Sequence, residues 1–225
     1  MYEDFLFLIP ARGGSKRLPN KNINELNGKP LIFYTFDAIK DIAPIENICF
    51  SSCNTKLIQK AEEYGLKVPF VRPAEFASDT SSMLEVIEHA INFYKENGRT
   101  FKGLVLLQPT SPLRSSQHIV EALKLFSDNI DLVVSVKITS SNPYYVLFEE
   151  NAEGFLEMSK EANYTHRQDC PLVYERNGAI YIYNLNGSYQ DPKRQIKYVM
   201  DEMSSIDIDS EYDWMMAEAI LSKKK

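Results

Sequence analysis

Four short apolar runs, Phe5–Ile9, Ile48–Ser51, Leu104–Leu107 and Leu132–Val136, restrict the fold of this chain more than any other feature. Such nearly unbroken runs suit strands covered on both faces, where no alternate side chain has to meet water. Between them lie segments with helical spacing of apolar residues: Leu31–Ile42, Thr55–Tyr64, Met83–Tyr94 and Ile119–Phe126. Repeated alternation of this kind predicts an α/β fold, a mostly parallel central sheet flanked by helices. In these sheets ligands collect beyond the carboxyl ends of the strands.

Two loops sit in that position. The first run feeds into Ile9-Pro-Ala-Arg-Gly-Gly-Ser-Lys-Arg-Leu-Pro-Asn-Lys-Asn22, with Arg12, Lys16, Arg17 and Lys21 around Gly13 and Gly14. Glycines permit close backbone approach, and the basic side chains neutralise phosphate oxygens, so the loop suits a polyphosphate. It is neither a Walker A loop nor a dinucleotide fingerprint. The plain alternative is a basic surface loop after an edge strand. The second loop, Gln108-Pro-Thr-Ser-Pro-Leu-Arg114, directly follows Leu104–Leu107.

The charge balance limits the partners. With a net charge of −6 the whole molecule repels nucleic acid and anionic membrane, so the basic loop is a local site for a small anion. A length of 225 residues suits one large domain, or one with an appendage. Three cysteines, Cys49, Cys53 and Cys170, lack metal-ligand spacing and read as free thiols of a reducing compartment. Glu3 and Asp4 precede only a strand-length apolar segment, unlike a signal peptide, and a cytoplasmic location is expected.

The alternation breaks between about Ile138 and Glu175. This stretch is tyrosine-rich and polar, reads as hairpins or an extended excursion, and holds Tyr144–Phe148, Phe155 and Leu156. So much apolar surface needs a partner, either the main domain or a second copy of the chain. The division expected is a main domain over 1–137 and 176–225 and an arm over 138–175. Helical patterning returns over Glu211–Leu221.

Just before that last helix stands Ser205-Ile-Asp-Ile-Asp209. In extended backbone Ile206 and Ile208 face one way and Asp207 and Asp209 the other, with carboxylate-bearing Cα atoms roughly 6.5–7 Å apart. Carboxylates so spaced can reach Mg²⁺ ions that also bind phosphate oxygens. Asp209 or Ser210 is equally suited to capping the final helix, with Asp213 completing a box. Ahead of the Met83 segment, Ser82 is a candidate cap, and Arg72 and Ser82 together are candidates for reading a base edge. No His/Cys zinc spacing and no serine-nucleophile elbow is present.

Five segments, Ile9–Arg17, Lys21-Asn22, Leu107–Arg114, Asn177-Gly-Ala-Ile-Tyr181 and Ser205–Asp209, together resemble the acylneuraminate cytidylyltransferases, the CMP-sialic acid synthetases. They occur in order across essentially the whole chain. The resemblance implies a nucleotide-diphospho-sugar transferase-like fold and transfer of CMP from CTP to the anomeric hydroxyl of a nonulosonic acid, releasing pyrophosphate with Mg²⁺. It implies that Arg12, Gly13, Gly14, Ser15, Lys21 and Asn22 hold the triphosphate and ribose, with Arg72 and Ser82 near the cytosine. Asp207 and Asp209 would hold the metal, Gln108 would stand beside the α-phosphate, and Tyr181 would line the sugar pocket. The excursion resembles a dimerisation arm whose basic residue, Arg167, enters the active site of the partner in a homodimer. Glu175 stands where the family often carries Arg, and only Tyr189 stands where some members carry an aromatic pair; both departures concern the sugar acid. The related CMP-Kdo synthetases, working on an eight-carbon acid, are the alternative within the fold, and a non-catalytic nucleotide-binding dimer module is the alternative of another class.

Overall fold

The computed structural model describes residues 2–14, 17–77 and 81–223. Its strands are β1 (Phe5–Pro10), the short pair β2 (Glu25–Leu26) and β3 (Lys29–Pro30), β4 (Ile48–Ser51), β5 (Gly103–Leu106) and β6 (Leu132–Ile138). The hairpin β7 (Phe148–Glu150) and β8 (Leu156–Met158) follows, then β9 (Tyr174–Asn184) and β10 (Gln195–Val199). Helices are α1 (Leu31–Ile39), α2 (Thr55–Tyr64), α3 (Met83–Glu96), α4 (Ser116–Leu123) and α5 (Glu211–Lys223).

Six strands form the central sheet in the order β10-β6-β9-β5-β1-β4. Five share one direction, and only β9 runs against its neighbours β5 and β6. The apolar runs are therefore the buried strands. β1 lies between β5 and β4 with all six of its residues buried, so the basic loop leaves an interior strand and not an edge. Phe7, Ile9, Phe50 and Val105 point to one face, under Ile32 and Phe36 of α1, Leu57 of α2 and Ile119 of α4. Leu6, Leu8, Leu104 and Leu106 point to the other, under Ile87, Ala90 and Tyr94 of α3. Helices thus cover both faces.

Local chemistry sets the helix ends. The Asn54 side chain accepts from the Leu57 amide at the start of α2, and Gly65 closes that helix at φ +102°. Ser82 caps α3 in a reciprocal box with Glu85. α1 stops at Ile39, three residues short of the helical pattern, where a turn through Ile42 and Ala43 leads into Pro44. α4 begins at Ser116, three residues earlier than its apolar spacing predicts, because Ser115 caps it and His118 completes the box.

Two strands of the central sheet lie outside the four apolar runs. β10 is an outer strand with alternating partial exposure. β9 carries a break in register: Val134 pairs with Tyr181, yet Val136 pairs with Arg176. Four residues, Asn177–Ile180, therefore bulge opposite the single residue Ser135. Between Ile138 and Tyr174, which pair with each other, the chain leaves the sheet and forms the β7–β8 hairpin.

Candidate active site

At the carboxyl ends of β1 and β5 lies a cleft of about 620 Å³. Its first wall is the loop after β1. Ala11 continues the β1 ladder by donating its amide to Ser51, and the Asn22 side chain donates to the Arg12 carbonyl at 3.2 Å. α1 has no side-chain cap; the Leu31 and Ile32 amides donate to the carbonyls of Asn24 and Asn22 at 3.1 and 3.0 Å. The loop thus satisfies the orphan donors of the helix, and the helix holds the loop. Arg12, Lys21 and Asn22 all line the cleft, as does Arg17.

The second wall pairs Arg72 with the start of α3. The Arg72 amide donates to Ser52, and its guanidinium donates to the Ala11 carbonyl at 3.0 Å, so the side chain is buried against the ends of β1 and β4. Burial lowers its pKa, with the Cys53 thiol opposing the shift. Ser82 caps α3 and lines the cleft at once, beside Met83 and Val86. Phe76, which sequence reading passed over, belongs to the same wall.

The floor is Gln108 and Thr110 with the acidic segment. The Ile208 amide donates to the Thr110 carbonyl at 2.8 Å, and Ile208 packs with Leu26, Leu31 and Ala217 of α5. That small apolar cluster brings the two ends of the chain together. Asp207 and Asp209 consequently face the cleft while Ile206 and Ile208 face the cluster, as alternation requires. Lys21 donates to the Ile208 carbonyl and forms an ion pair with Asp209 at 3.0 Å. The capping question resolves in favour of Ser210, whose hydroxyl accepts from Asp213 while the Asp213 carboxylate accepts from the Ser210 and Asp209 amides. Asp209 is left for Lys21 and the cleft.

Asp207 is held differently. The β9 bulge passes close beside it: Gly178 adopts φ +74°, and a Cβ there would lie 3.0 Å from Asp207 Oδ2, so only glycine leaves room for the carboxylate. Ser135 fastens the bulge, donating to Asn177 Oδ1 at 2.6 Å and accepting from the Ile180 amide at 2.8 Å. Asn177 in turn donates to Ser205 Oγ at 2.9 Å, just ahead of the acidic pair. Asp207 Oδ1 nevertheless has no hydrogen-bond partner although it is buried. Burial raises its carboxyl above the usual range, with the Thr110 hydroxyl opposing and the Asp209 charge adding to the rise. An unmatched buried carboxylate oxygen next to a second carboxylate is a position that gains from a hard cation. The residues fit Mg²⁺.

Not every expected residue reaches the cleft. Ser15 lies outside the described residues. Gly13 makes its close approach to Asn54, where a Cβ would meet the side chain at 2.2 Å, and Gly14 faces open space. Tyr181 sits on β9 away from the cleft lining, stacked against Tyr183 with centroids 6.5 Å apart. Burial raises its hydroxyl pKa; Arg176 opposes the shift and Asp207 adds to it. Arg167 stands on the exposed excursion, donating to the Ser140 carbonyl at 3.4 Å, and does not line the cleft of its own chain.

Arg12, Arg17 and Lys21 thus line the same cleft as Asp207 and Asp209. The sequence matches the Cytidylyltransferase family over residues 6–222, and the chain belongs to that family. It is 35% identical to CMP-N,N'-diacetyllegionaminic acid synthase of Campylobacter jejuni over 98% of this chain and 96% of that protein. It is 34% identical to the N-acylneuraminate cytidylyltransferase of Escherichia coli O18:K1:H7, matching all of this chain and 54% of that longer one. The fold is that of a solved CMP:2-keto-3-deoxy-manno-octonic acid synthetase complexed with CTP, at a TM-score of 0.71 and 16% identity, over 99% of this chain and 100% of that one.

Proposed function

We propose that this protein transfers CMP from CTP to the anomeric hydroxyl of a nonulosonic acid, giving the CMP-sugar and pyrophosphate. The observation that carries the reading is the meeting of Lys21, Asp209 and the unmatched Asp207 carboxylate in one cleft. Relatives named for sialic and legionaminic acids support the nine-carbon class over the CMP-Kdo alternative.

Arg12, Lys21 and Asn22 would hold the triphosphate and ribose, with Arg72 and Ser82 on the cytosine side and Gln108 next to the α-phosphorus. Transfer of this kind needs positioning and charge neutralisation and no covalent intermediate, which matches a site rich in fixed charge. Asp207 and Asp209 would hold Mg²⁺, which when bound neutralises phosphate oxygens and eases departure of pyrophosphate. Lys21 links both halves: it comes from the basic loop, and its ammonium lies against Asp209 in the cleft. Tyr181 lies off the cleft lining on β9, so a sugar contact from it requires a pocket that extends beyond this cleft.

The arm completes the proposal. Phe148, Phe155 and Leu156 are exposed on the β7–β8 hairpin, and a lone two-stranded hairpin is marginal in water. A second copy would cover them in a homodimer and receive Arg167 in its sugar pocket. Mixing Arg167→Ala with Lys21→Ala protein should then restore activity through hybrid dimers with one intact site. No recovery after confirmed subunit exchange would remove Arg167 from the partner's site.

The test of function is pyrophosphate release from CTP and Mg²⁺ with a panel of acids: N-acetylneuraminic, deaminated sialic, legionaminic and pseudaminic, with Kdo added. Release with one nine-carbon acid is expected. Release with Kdo alone would favour the eight-carbon alternative, and silence with every acid would refute both.

A further inference from the structure

Arg114 ends the Gln108–Arg114 loop, yet it does not reach the cleft. It is 2% exposed, immediately before the cap of α4. Nη1 donates to the Gln108 carbonyl at 3.0 Å and to the Ala179 carbonyl at 2.9 Å, while Nη2 donates to the Thr35 hydroxyl. These acceptors belong to three different elements around the cleft. Gln108 is the cleft residue after β5. Ala179 lies within the β9 bulge, next to the Gly178 that leaves room for Asp207. Thr35 is on α1, whose first amides hold the Asn22 loop.

Stability alone explains this arrangement poorly. Burying a guanidinium carries a large desolvation cost before pairing, and an apolar side chain of similar volume is often as good or better. Here all three acceptors are neutral and Nε has no partner. Burial pushes the pKa of the guanidinium down to about 9, with the Asp207 charge opposing. What the planar fork does supply, and an apolar residue cannot, is a fixed distance between elements that are remote in sequence.

We propose that Arg114 is a positioning residue that locks Gln108, the Asn177–Ile180 bulge and α1 into the register needed for CMP transfer. The proposal rests on the cytidylyltransferase reading for its kinetic arm but not for its structural arm. A side chain that ties the elements around the cleft together without touching the nucleotide should act on turnover more than on nucleotide binding. A misplacement of about 1 Å costs on the order of 10²-fold in rate.

The experiment compares Arg114→Met and Arg114→Lys with the unaltered protein by steady-state kinetics, thermal melting and amide hydrogen exchange. Arg114→Met is expected to lower kcat by about 100-fold, leave KM for CTP within about threefold, and speed exchange at the Ala179 and Ile180 amides. Arg114→Lys is expected to fall between, since one ammonium cannot bridge all three acceptors. Should Arg114→Met not fold, Arg114→Lys with its exchange pattern decides alone. The proposal is overturned if the folded fraction of either variant keeps kcat within about threefold and exchange at 179–180 is unchanged. Inactivity of the unaltered protein with every acid would refute the function, and exchange would still judge Arg114.

Discussion

Asp131 and Asp207 are both aspartates held by the sheet, at its opposite ends, and the protein treats them in opposite ways. Asp131 precedes β6 and accepts from the Arg194 guanidinium at 2.6 Å and from the Lys193 and Arg194 amides at 3.1 and 2.8 Å. Arg194, first through its side chain and then its amide, holds that carboxyl far below the usual range. Asp207 has a bulge close beside it, one oxygen left without a partner, and a carboxyl raised by burial. A satisfied carboxylate fastens structure, whereas a dissatisfied one waits for a ligand. The carboxylate at the far end of the sheet is thus fully partnered, and the one at the cleft end is not.

The sharpest way to break this contrast is to remove each group. Asp207→Ala should lower turnover by about 10³-fold or more while its melting temperature holds or rises, because an unmet charge is removed. A melting loss with normal turnover would erase the distinction. Next in size is Gly178→Ala, which places a Cβ against Asp207 at positive φ. It should cost about 1–2 kcal/mol in denaturant unfolding and about 10²-fold in kcat. Asp131→Asn should do the reverse of Asp207→Ala: a clear fall in melting temperature with turnover per folded molecule nearly intact. Because the folded pKa of Asp131 is depressed, its contribution is fully present above the unfolded value of 3.8 and is lost as pH falls toward the folded one. The gap in melting temperature between the two proteins should therefore narrow only in strong acid. The smallest effect is Ser82→Ala, about 1 kcal/mol from the lost α3 cap, with a modest rise in KM for CTP.

Much of this contrast could be seen in the residues beforehand, and the parts that could not have physical causes. The apolar runs located β1, β4, β5 and β6, since strands buried on both faces must be continuously apolar. Arg12, Lys21 and Gln108 were visible in loops at strand ends and Asp207–Asp209 as an alternating acidic pair before the last helix, and the cleft brings them together. β10 was invisible because an outer strand of Gln195–Val199 alternates weakly, and the β9 register break depends on the Ser135 hydroxyl, a tertiary contact. Sequence could not choose between Asp209 and Ser210 as the α5 cap; the reciprocal Ser210–Asp213 hydrogen bonds decide it and leave the Asp209 carboxylate for Lys21. Arg114 gave no sign of its role, because its three acceptors are two backbone carbonyls and a distant hydroxyl.

The fastest challenge to the whole picture is calorimetric titration of CTP, with and without Mg²⁺, into the unaltered protein, Lys21→Met and Asp207→Asn. If the basic loop and the acidic pair grip the same triphosphate, Mg²⁺ tightens binding in the unaltered protein, the tightening disappears in Asp207→Asn, and Lys21→Met weakens binding in both conditions. Equal affinity with and without metal in all three proteins would mean that the two ends of the chain do not share a ligand.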